Sequence, residues 1–172
     1  SGTSISFGTD QTVDTNTGPV SQNVVYDSNA ERSVVIFVAS DGTGKAYAAS
    51  LSGTTLTFGD QLTWESSATA AEVGACYDSN ANRTILTYRD GSNSNAGTSI
   101  PLAVSGLTVT AETQTVFTTN RADATVAAFD SNLNKVVVSY TDAGNSSYGT
   151  AAVGTPASAA VDLSVGSTYY VQ

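Results

Sequence analysis

The 172-residue sequence has no histidine, no methionine and a single cysteine. Without histidine there is no imidazole base, no Ser-His-Asp triad and no metal site built on imidazole ligands. One cysteine forms neither a disulfide within the chain nor a zinc–thiolate cluster. These absences exclude several common catalytic and metal-dependent mechanisms, and we expect a protein without a cofactor. The missing initiator methionine predicts a fragment or a processed product.

Cations are also scarce, because six lysines and arginines face fifteen acidic residues and the net charge is -9. Nucleic acids are bound through clustered lysine and arginine side chains, so we expect no nucleic-acid partner. No apolar run approaches the roughly 18 residues that a membrane-spanning helix needs, and no basic stretch precedes an apolar one as in a signal peptide. The sequence therefore predicts no membrane insertion.

The rest of the composition favours β structure. Leucine, glutamate and lysine are few, whereas serine, threonine, glycine, asparagine and valine are abundant. Threonine and valine favour pleated strands, and glycine, asparagine and aspartate favour the turns between strands. No stretch keeps a helical periodicity for more than about two turns. An apolar content of 40% is too high for a disordered chain, so we expect an all-β domain.

Three markers recur with one period of about 51 to 53 residues, which indicates an internal repeat. A motif aromatic-Asp-Ser-Asn-x-x-basic begins at Tyr26, Tyr77 and Phe129. A Ser-Gly pair recurs at 1–2, 52–53 and 105–106. A glycine before a strand-like run recurs at Gly44, Gly97 and Gly149. The sequence therefore divides into three repeats and a divergent C-terminal strand segment, at 1–51, 52–104, 105–156 and 157–172.

Each repeat contains four strand-like runs, and the third run is apolar on consecutive positions, at 34–37, 85–86 and 136–138. A strand of this kind is covered on both faces. Four short antiparallel strands whose middle is buried on both faces form a blade of a β-propeller. We therefore predict three four-stranded, blade-like repeats in a propeller-like fold that is open or completed by oligomerisation. A two-sheet β-sandwich is the alternative, and a β-solenoid ranks third.

Two further predictions follow from the way in which blades pack face to face. In the assembled state, five apolar residues of the third runs are expected to be nearly inaccessible: Val35, Ile36, Leu86, Val137 and Val138. An open stack of three blades leaves an apolar face bare at each end, and propellers typically have four to eight blades. We therefore expect a homo-oligomer, with a closed dimer of six blades as the first choice, or a larger assembly.

An aspartate follows the aromatic residue of each repeat, at Asp27, Asp78 and Asp130. Glycosidases use a pair of carboxylates, but a catalytic pair occurs once in a chain, and these aspartates occur three times. Asparagine and aspartate side chains accept hydrogen bonds from the backbone of their own turn. We therefore interpret the three aspartates as structural turn residues and predict no catalytic residue among them.

The polar loops of the second and third repeats supply further candidates. Asp90 and Asp142 are candidate calcium ligands, but neither loop has the second carboxylate and terminal glutamate of a high-affinity site. We therefore predict no metal site. Rings, amides and guanidinium groups bind sugars by stacking and directional hydrogen bonds. On this basis the ligand-binding candidates are Trp64, Arg89, Asn95, Asn145 and Tyr148.

Two longer segments carry a resemblance to known proteins. Residues 140–151 read Tyr-Thr-Asp-Ala-Gly-Asn-Ser-Ser-Tyr-Gly-Thr-Ala, and residues 1–8 read Ser-Gly-Thr-Ser-Ile-Ser-Phe-Gly. Together with the aromatic-Asp-Ser-Asn motif, they make the chain resemble repeat-containing tail-fibre-like and other virion structural proteins of marine bacteriophages. The resemblance implies propeller blades and a place on the outer surface of a virion, within a larger virion assembly. Similar repeats in bacterial surface proteins make a cell-surface or secreted location the alternative.

The repeat, this resemblance and the lack of catalytic residue types predict a non-enzymatic virion structural or adhesion protein. Its blades would form a rigid scaffold that presents loops to a host surface glycan or to another virion protein. A free-standing glycan-binding lectin module is one alternative. A sialidase-like glycosidase is another, and it would have to use the glutamates outside the repeated hairpins: Glu65, Glu72 and Glu112.

Overall fold

The computed structural model of the chain describes residues 2, 4–15, 18, 21–67 and 70–156. Regular structure in this part of the chain consists of twelve β-strands and two short 3-10 turns, at Gly91–Asn93 and Ala143–Asn145. The all-β prediction is therefore confirmed. Among the described residues, no helix has the length and apolar character needed to cross a membrane. The divergent segment predicted at 157–172 lies outside the described residues.

The first sheet is antiparallel and contains five strands: β1 (Ser21–Asp27), β2 (Arg32–Val38), β3 (Gly44–Ser52), β4 (Thr55–Phe58) and β5 (Leu62–Glu65). The first three strands pair in chain order, and β4 and β5 lie one after the other along the remaining edge of β3. The turn between β3 and β4 contains Gly53, whose φ of +59° lies in the left-handed region that favours glycine. The Ser-Gly marker therefore forms a hairpin turn.

The second sheet is also antiparallel and contains seven strands: β6 (Ala70–Asp78), β7 (Arg83–Asp90), β8 (Ala96–Ser105), β9 (Thr108–Ala111), β10 (Thr115–Asp130), β11 (Lys135–Asp142) and β12 (Tyr148–Gly154). Strand β10 is long because it pairs with two neighbours in succession. Its residues 115–121 pair with β8, and its residues 122–130 pair with β11. Strand β9 and the start of β10 thus lie along β8 as β4 and β5 lie along β3.

The same strand order occurs in three groups, which we call layers. Layer 1 contains β1 to β5, layer 2 contains β6 to β9 with residues 115–121, and layer 3 contains residues 122–130 with β11 and β12. In layers 1 and 2 the outer strand consists of two pieces, whereas the outer edge of β12 has no strand partner among the described residues. The two sheets do not close into a barrel, and this arrangement agrees with the β-sandwich alternative.

Two hydrophobic cores lie between the layers. The core between layers 1 and 2 contains Val34, Ile36, Val38, Ala46, Ala48, Trp64, Ala70, Val73, Leu86, Tyr88, Ile100, Leu102 and Val109. The core between layers 2 and 3 contains Cys76, Ile85, Ala122, Val136, Val138 and Tyr140. Ile85 and Leu86 are consecutive in β7 and belong to different cores. The consecutive apolar run of this strand is therefore explained by cover on both faces.

The burial of the third runs follows from these two cores. Ile36, Leu86 and Val138 are buried and Val35 is half-buried, but 38% of Val137 is exposed. Val137 is therefore accessible in the single chain, and its expected inaccessibility in the assembled state stays a prediction. Successive residues of a strand point to opposite faces, so Val137 lies on the face of layer 3 that turns away from layer 2. The described part of the chain has no layer that covers this face.

Candidate ligand-binding cleft

The repeated aspartates hold the hairpins that join the first two strands of each layer. The Asp27 Oδ1 accepts hydrogen bonds from the N–H of Asn29 at 3.0 Å and of Ala30 at 2.9 Å. Asp78 and Asp130 accept the same pair of bonds in layers 2 and 3. These bonds order the turns and leave a Ser-Asn pair exposed at each tip, at 28–29, 79–80 and 131–132.

The side chains of the candidate calcium ligands accept hydrogen bonds from the backbone of their own loops. Asp90 is buried, and its Oδ1 accepts hydrogen bonds from the N–H groups of Ser92 and Asn93 at the start of a 3-10 turn. Asp142 accepts one bond from the N–H of Gly144 in the equivalent turn. Within the described residues, no three histidine, cysteine or acidic side chains come together as a metal site would require. Both loops are therefore ordered by their own side chains.

Two of the ligand-binding candidates, one buried and one half-buried, have partners within the protein. Trp64 is buried between layers 1 and 2, where its Nε1–H donates to the carbonyl of Lys45 at 2.8 Å. Its ring meets the Tyr88 ring edge-on, with 4.9 Å between the centroids. Arg89 forms an ion pair with Asp123 through its Nη1. Both candidate side chains are thus engaged by the protein itself.

The other three candidates lie just before or at the start of the third strands of layers 2 and 3. Asn95 is half-buried with a φ of +65°, and its carbonyl accepts a bond from the N–H of Ala122 at 3.2 Å. Asn145 and Tyr148 are both exposed, Asn145 at the end of the 3-10 turn and Tyr148 three residues later as the first residue of β12. Asn145 and Tyr148 are thus the two exposed candidates, and they belong to layer 3, whereas Trp64 and Arg89 belong to layers 1 and 2.

The glutamates that a glycosidase would use have separate partners. Glu65 accepts hydrogen bonds from the N–H of Ser67 and the hydroxyl of Tyr88, Glu72 accepts one from layer 3, and Glu112 pairs with an arginine. Burial acts to raise the pKa of Glu65, but the hydrogen bonds from Ser67 and Tyr88 outweigh it and hold the pKa below its usual value. The general acid of a glycosidase needs a raised pKa. The environment of Glu65 therefore works against that role.

The single cysteine is expected to be chemically inert in the folded protein. Cys76 lies in the core between layers 2 and 3, and burial, with a smaller effect from Asp78, raises the pKa of its thiol to about 12. Thiol reagents attack the thiolate, so we expect no labelling near neutral pH until the protein is unfolded. A colorimetric disulfide reagent with and without denaturant measures this, and fast labelling of the native protein would contradict it.

A cleft of about 720 Å³ lies between layers 2 and 3. Its apolar walls include Ile85, Pro101 and Phe117 of layer 2 and Val138 and Ala152 of layer 3. Ligand pockets in proteins typically measure about 300 to 1,000 Å³ and have apolar walls with a few polar groups. The cleft is therefore the best candidate for a small-ligand site in the described part of the chain.

The cleft exists because β12 has small side chains where β8 has large ones. Ile100 and Leu102 of β8 are buried in the core between layers 1 and 2. The residues 52 positions later in β12 are Ala152 and Gly154, and both line the cleft. The side-chain volume that is lost at these two positions leaves a gap between layers 2 and 3.

An ion pair lies at the rim of the cleft. Arg83 Nε and Glu112 Oε1 are 2.6 Å apart, and both side chains are partly exposed. Polar and aromatic residues on loops do not reveal the cleft, because its walls are mostly apolar residues of the strands. Its sequence signal is the replacement of two large core residues by Ala152 and Gly154 in the third repeat.

Two places in the described chain therefore have the geometry of a binding surface, the exposed Ser-Asn tips and the cleft. The tips carry hydroxyl and amide groups on ordered backbone, and the cleft has apolar walls with an ion pair at its rim. No protein-family model, curated protein or solved structure matches this chain.

Proposed function

We propose that the protein is a non-enzymatic structural and adhesion protein of a virion, exposed on its outer surface, and that its layers are blades of a propeller-like scaffold. The motifs that resemble phage virion repeats support the virion role. Contacts between β1 and β6 and between β6 and β10 support the blade interpretation. The first strand of each layer lies beside the first strand of the next, as blades do around a propeller axis.

The observation that carries the adhesion role is the threefold repetition of one ordered, exposed tip. Each tip presents the hydroxyl and amide of a Ser-Asn pair, and an aspartate side chain holds its backbone. The tips of layers 1 and 2 are neighbours, because the N–H of Asn29 donates to the Tyr77 hydroxyl at 3.2 Å. Polar groups that are already ordered lose little conformational freedom when they bind the hydroxyls of a host surface glycan. Several weak sites of this kind raise the overall affinity for a repetitive glycan through multivalency.

A glycan array with the purified protein tests this role. We expect binding to a host surface polysaccharide that weakens about tenfold or more when Asn29, Asn80 and Asn132 are all replaced by alanine. The control is Asn93→Ala, which removes an exposed asparagine from a different loop. Equal binding by the triple variant and the wild type would contradict the proposal that the Ser-Asn tips bind the glycan. Absence of the chain from purified virions whose other structural proteins are detected would contradict the virion role.

A ligand-binding module of the lectin type is a second candidate, favoured by the cleft between layers 2 and 3. The double variant Ala152→Ile and Gly154→Leu gives β12 the large side chains that β8 has at these positions. Apart from its chain neighbours, the nearest atom to a β-carbon added at Gly154 is the carbonyl oxygen of Val136 at 3.8 Å, so the backbone accepts a β-carbon there, and the rest of the leucine would extend into the cleft that Gly154 lines. We expect the free energy of unfolding to rise by roughly 1 to 2 kcal/mol and cleft binding to be lost.

Denaturant unfolding and calorimetric titration with a sugar selected on the array measure these two effects. The control is Tyr148→Ala, because Tyr148 is exposed and does not line the cleft. Sugar binding that survives in the filled cleft contradicts the cleft as the site, and sugar binding that is lost only with Tyr148→Ala assigns it to the exposed start of β12.

A further inference from the structure

The third strands of layers 1 and 2 each pack a glycine against an aromatic ring of the outer strand. A β-carbon added to Gly44 would lie 2.4 Å from the Trp64 ring, and one added to Gly97 would lie 2.4 Å from the Phe117 ring. Gly149 has the same repeat position in layer 3, but its added β-carbon has no atom within 4 Å. Strand β12 thus has the sequence of a third strand, while the described chain provides no outer strand beside it.

Residues 4–15, the N-terminal segment, have the sequence of such an outer strand. A shift of 51 residues aligns Ile5, Phe7 and Val13 with three residues of the outer strand of layer 1: Leu56, Phe58 and Trp64. None of residues 4–15 is in a β-strand, and Ile5 and Phe7 are 79% and 89% exposed. Apolar residues at alternating positions are typical of a β-strand, and here they lie outside the strands of the described chain.

The N-terminal segment also lies where the outer strand of a preceding layer would lie. Gly8 packs so closely on Thr54, in the turn between β3 and β4, that an added β-carbon would come within 2.5 Å of it. Gly59, at the same repeat position, packs in the same way on Leu107 in the turn between β8 and β9. The N-terminal segment therefore contacts layer 1 as the outer strand of layer 1 contacts layer 2.

The two ends of the stack expose complementary faces. Val137 and Val153 of layer 3 are exposed, the latter by 68%. Their equivalents in layer 1 are fully buried against layer 2: Val34 and Ala48. At the other end Val24 and Leu51 of layer 1 are exposed. Their equivalents in layer 2 pack against the core shared with layer 1: Ala75 and Val104. Each end thus lacks the cover that the opposite end of another copy provides.

We propose that the N-terminal segment of one copy pairs with the outer edge of β12 in a second copy of this chain and completes its layer 3. Strand addition satisfies the N–H and C=O groups of a free sheet edge. The pairing of Ala46 with Leu62 in layer 1 predicts the register, because the same repeat positions are Ala151 and Gln11. Layer 3 of the second copy then packs on layer 1 of the first, which extends the blade stacking that we propose above.

Two copies that exchange their N-terminal segments in this way close a ring of six four-stranded layers. In each contact, layer 3 of one copy packs on layer 1 of the other copy. A twofold axis between the copies makes this contact occur twice in the dimer. Six lies within the usual range of about four to eight propeller blades.

Sedimentation of the full chain over a range of concentrations tests the exchange. We expect a dimer whose dissociation constant rises about tenfold or more in the double variant Ile5→Asp and Phe7→Asp, because a buried unpaired charge is unfavourable. The control is Leu133→Asp, which replaces an exposed apolar residue by aspartate on a turn of layer 3. A wild-type chain that stays monomeric at its highest soluble concentration overturns the proposal, and so does a dimer that the double variant leaves equally strong.

A cysteine pair tests the register directly. Gln11→Cys with Ala151→Cys in one chain is expected to give a disulfide-linked dimer on a non-reducing gel, because the two positions face each other across the copies. The control pair, Gln11→Cys with Ser131→Cys, is expected to stay monomeric. Ser167 has the same repeat position as Gln11, so Ala151→Cys with Ser167→Cys tests whether residues 157–172 of the same chain fill the edge.

The exchange is overturned if the Gln11→Cys and Ala151→Cys pair gives no disulfide-linked dimer and either cysteine pair instead forms a disulfide within one chain. Glycan binding by the Ser-Asn tips is measured separately on the array. A monomer that still binds the polysaccharide therefore contradicts only the exchange, whereas a dimer without glycan binding contradicts only the adhesion role.

Discussion

Replacement of Leu86 by alanine is expected to lower the free energy of unfolding by about 2 to 5 kcal/mol. Leu86 is fully buried on the middle strand of layer 2, in the core that joins layers 1 and 2. Removal of its side chain loses apolar burial and leaves a cavity, because Ile100 and Leu102 on the neighbouring strand are held by their own contacts. Denaturant unfolding followed by circular dichroism measures the loss.

The matched control for this prediction is Leu133→Ala. Leu133 is 65% exposed at the hairpin between β10 and β11, so the same change of side chain removes little buried surface there. We expect its effect to stay within about 0.5 kcal/mol. Similar losses in the two variants would show that Leu86 does not lie in a packed core, and the layered arrangement would then be wrong.

Replacement of Gly97 by alanine is expected to lower the free energy of unfolding by about 1 to 3 kcal/mol. The new β-carbon would lie 2.4 Å from the Phe117 ring, and Gly97 is paired with Arg89 on one side and Thr118 on the other. The strand is therefore held on both edges, so either the ring or the strand has to move. Phe117→Ala in the same chain should recover part of the loss, which a double-mutant cycle measures.

The matched control for the glycine prediction is Gly149→Ala, at the same position of the third repeat. An added β-carbon there meets no atom within 4 Å, so we expect a change close to zero or a small gain from the reduced freedom of the unfolded chain. Unfolding is measured at low protein concentration, where a second copy does not cover β12. Equal losses at Gly97 and Gly149 would show that contact with the outer strand is not the cause.

Much of the local structure could be predicted from the sequence, because it depends on residues that are close in the chain. The Asp27 side chain orders its turn through bonds to residues two and three positions later, and a Ser-Gly pair forms the turn between β3 and β4. The repeat then predicts the same turns in the other layers. The all-β class follows from the same local preferences of threonine, valine, glycine and asparagine.

The cleft could not be predicted in this way, because its walls come from parts of the chain that are far apart in sequence. Ala152 and Gly154 line an empty space only because layer 3 packs on Ile85 and Pro101 of layer 2. The position of Trp64 could not be predicted either. Its ring packs on Gly44 of β3, and the residues next to Trp64 in the sequence do not indicate this contact. Side chains chosen as ligand candidates by type were therefore separated by the fold.

By itself, the sequence determined the β class, the repeat and the hairpin turns of this protein, because short-range hydrogen bonds and backbone preferences decide them. Only the tertiary structure decided which of the repeated faces are covered. Val34 and Val137 have the same repeat position and the same side chain, yet Val34 is fully buried and Val137 is exposed. The physical reason is that burial depends on whether a neighbouring layer is present, and layer 2 covers Val34 while no described layer covers Val137.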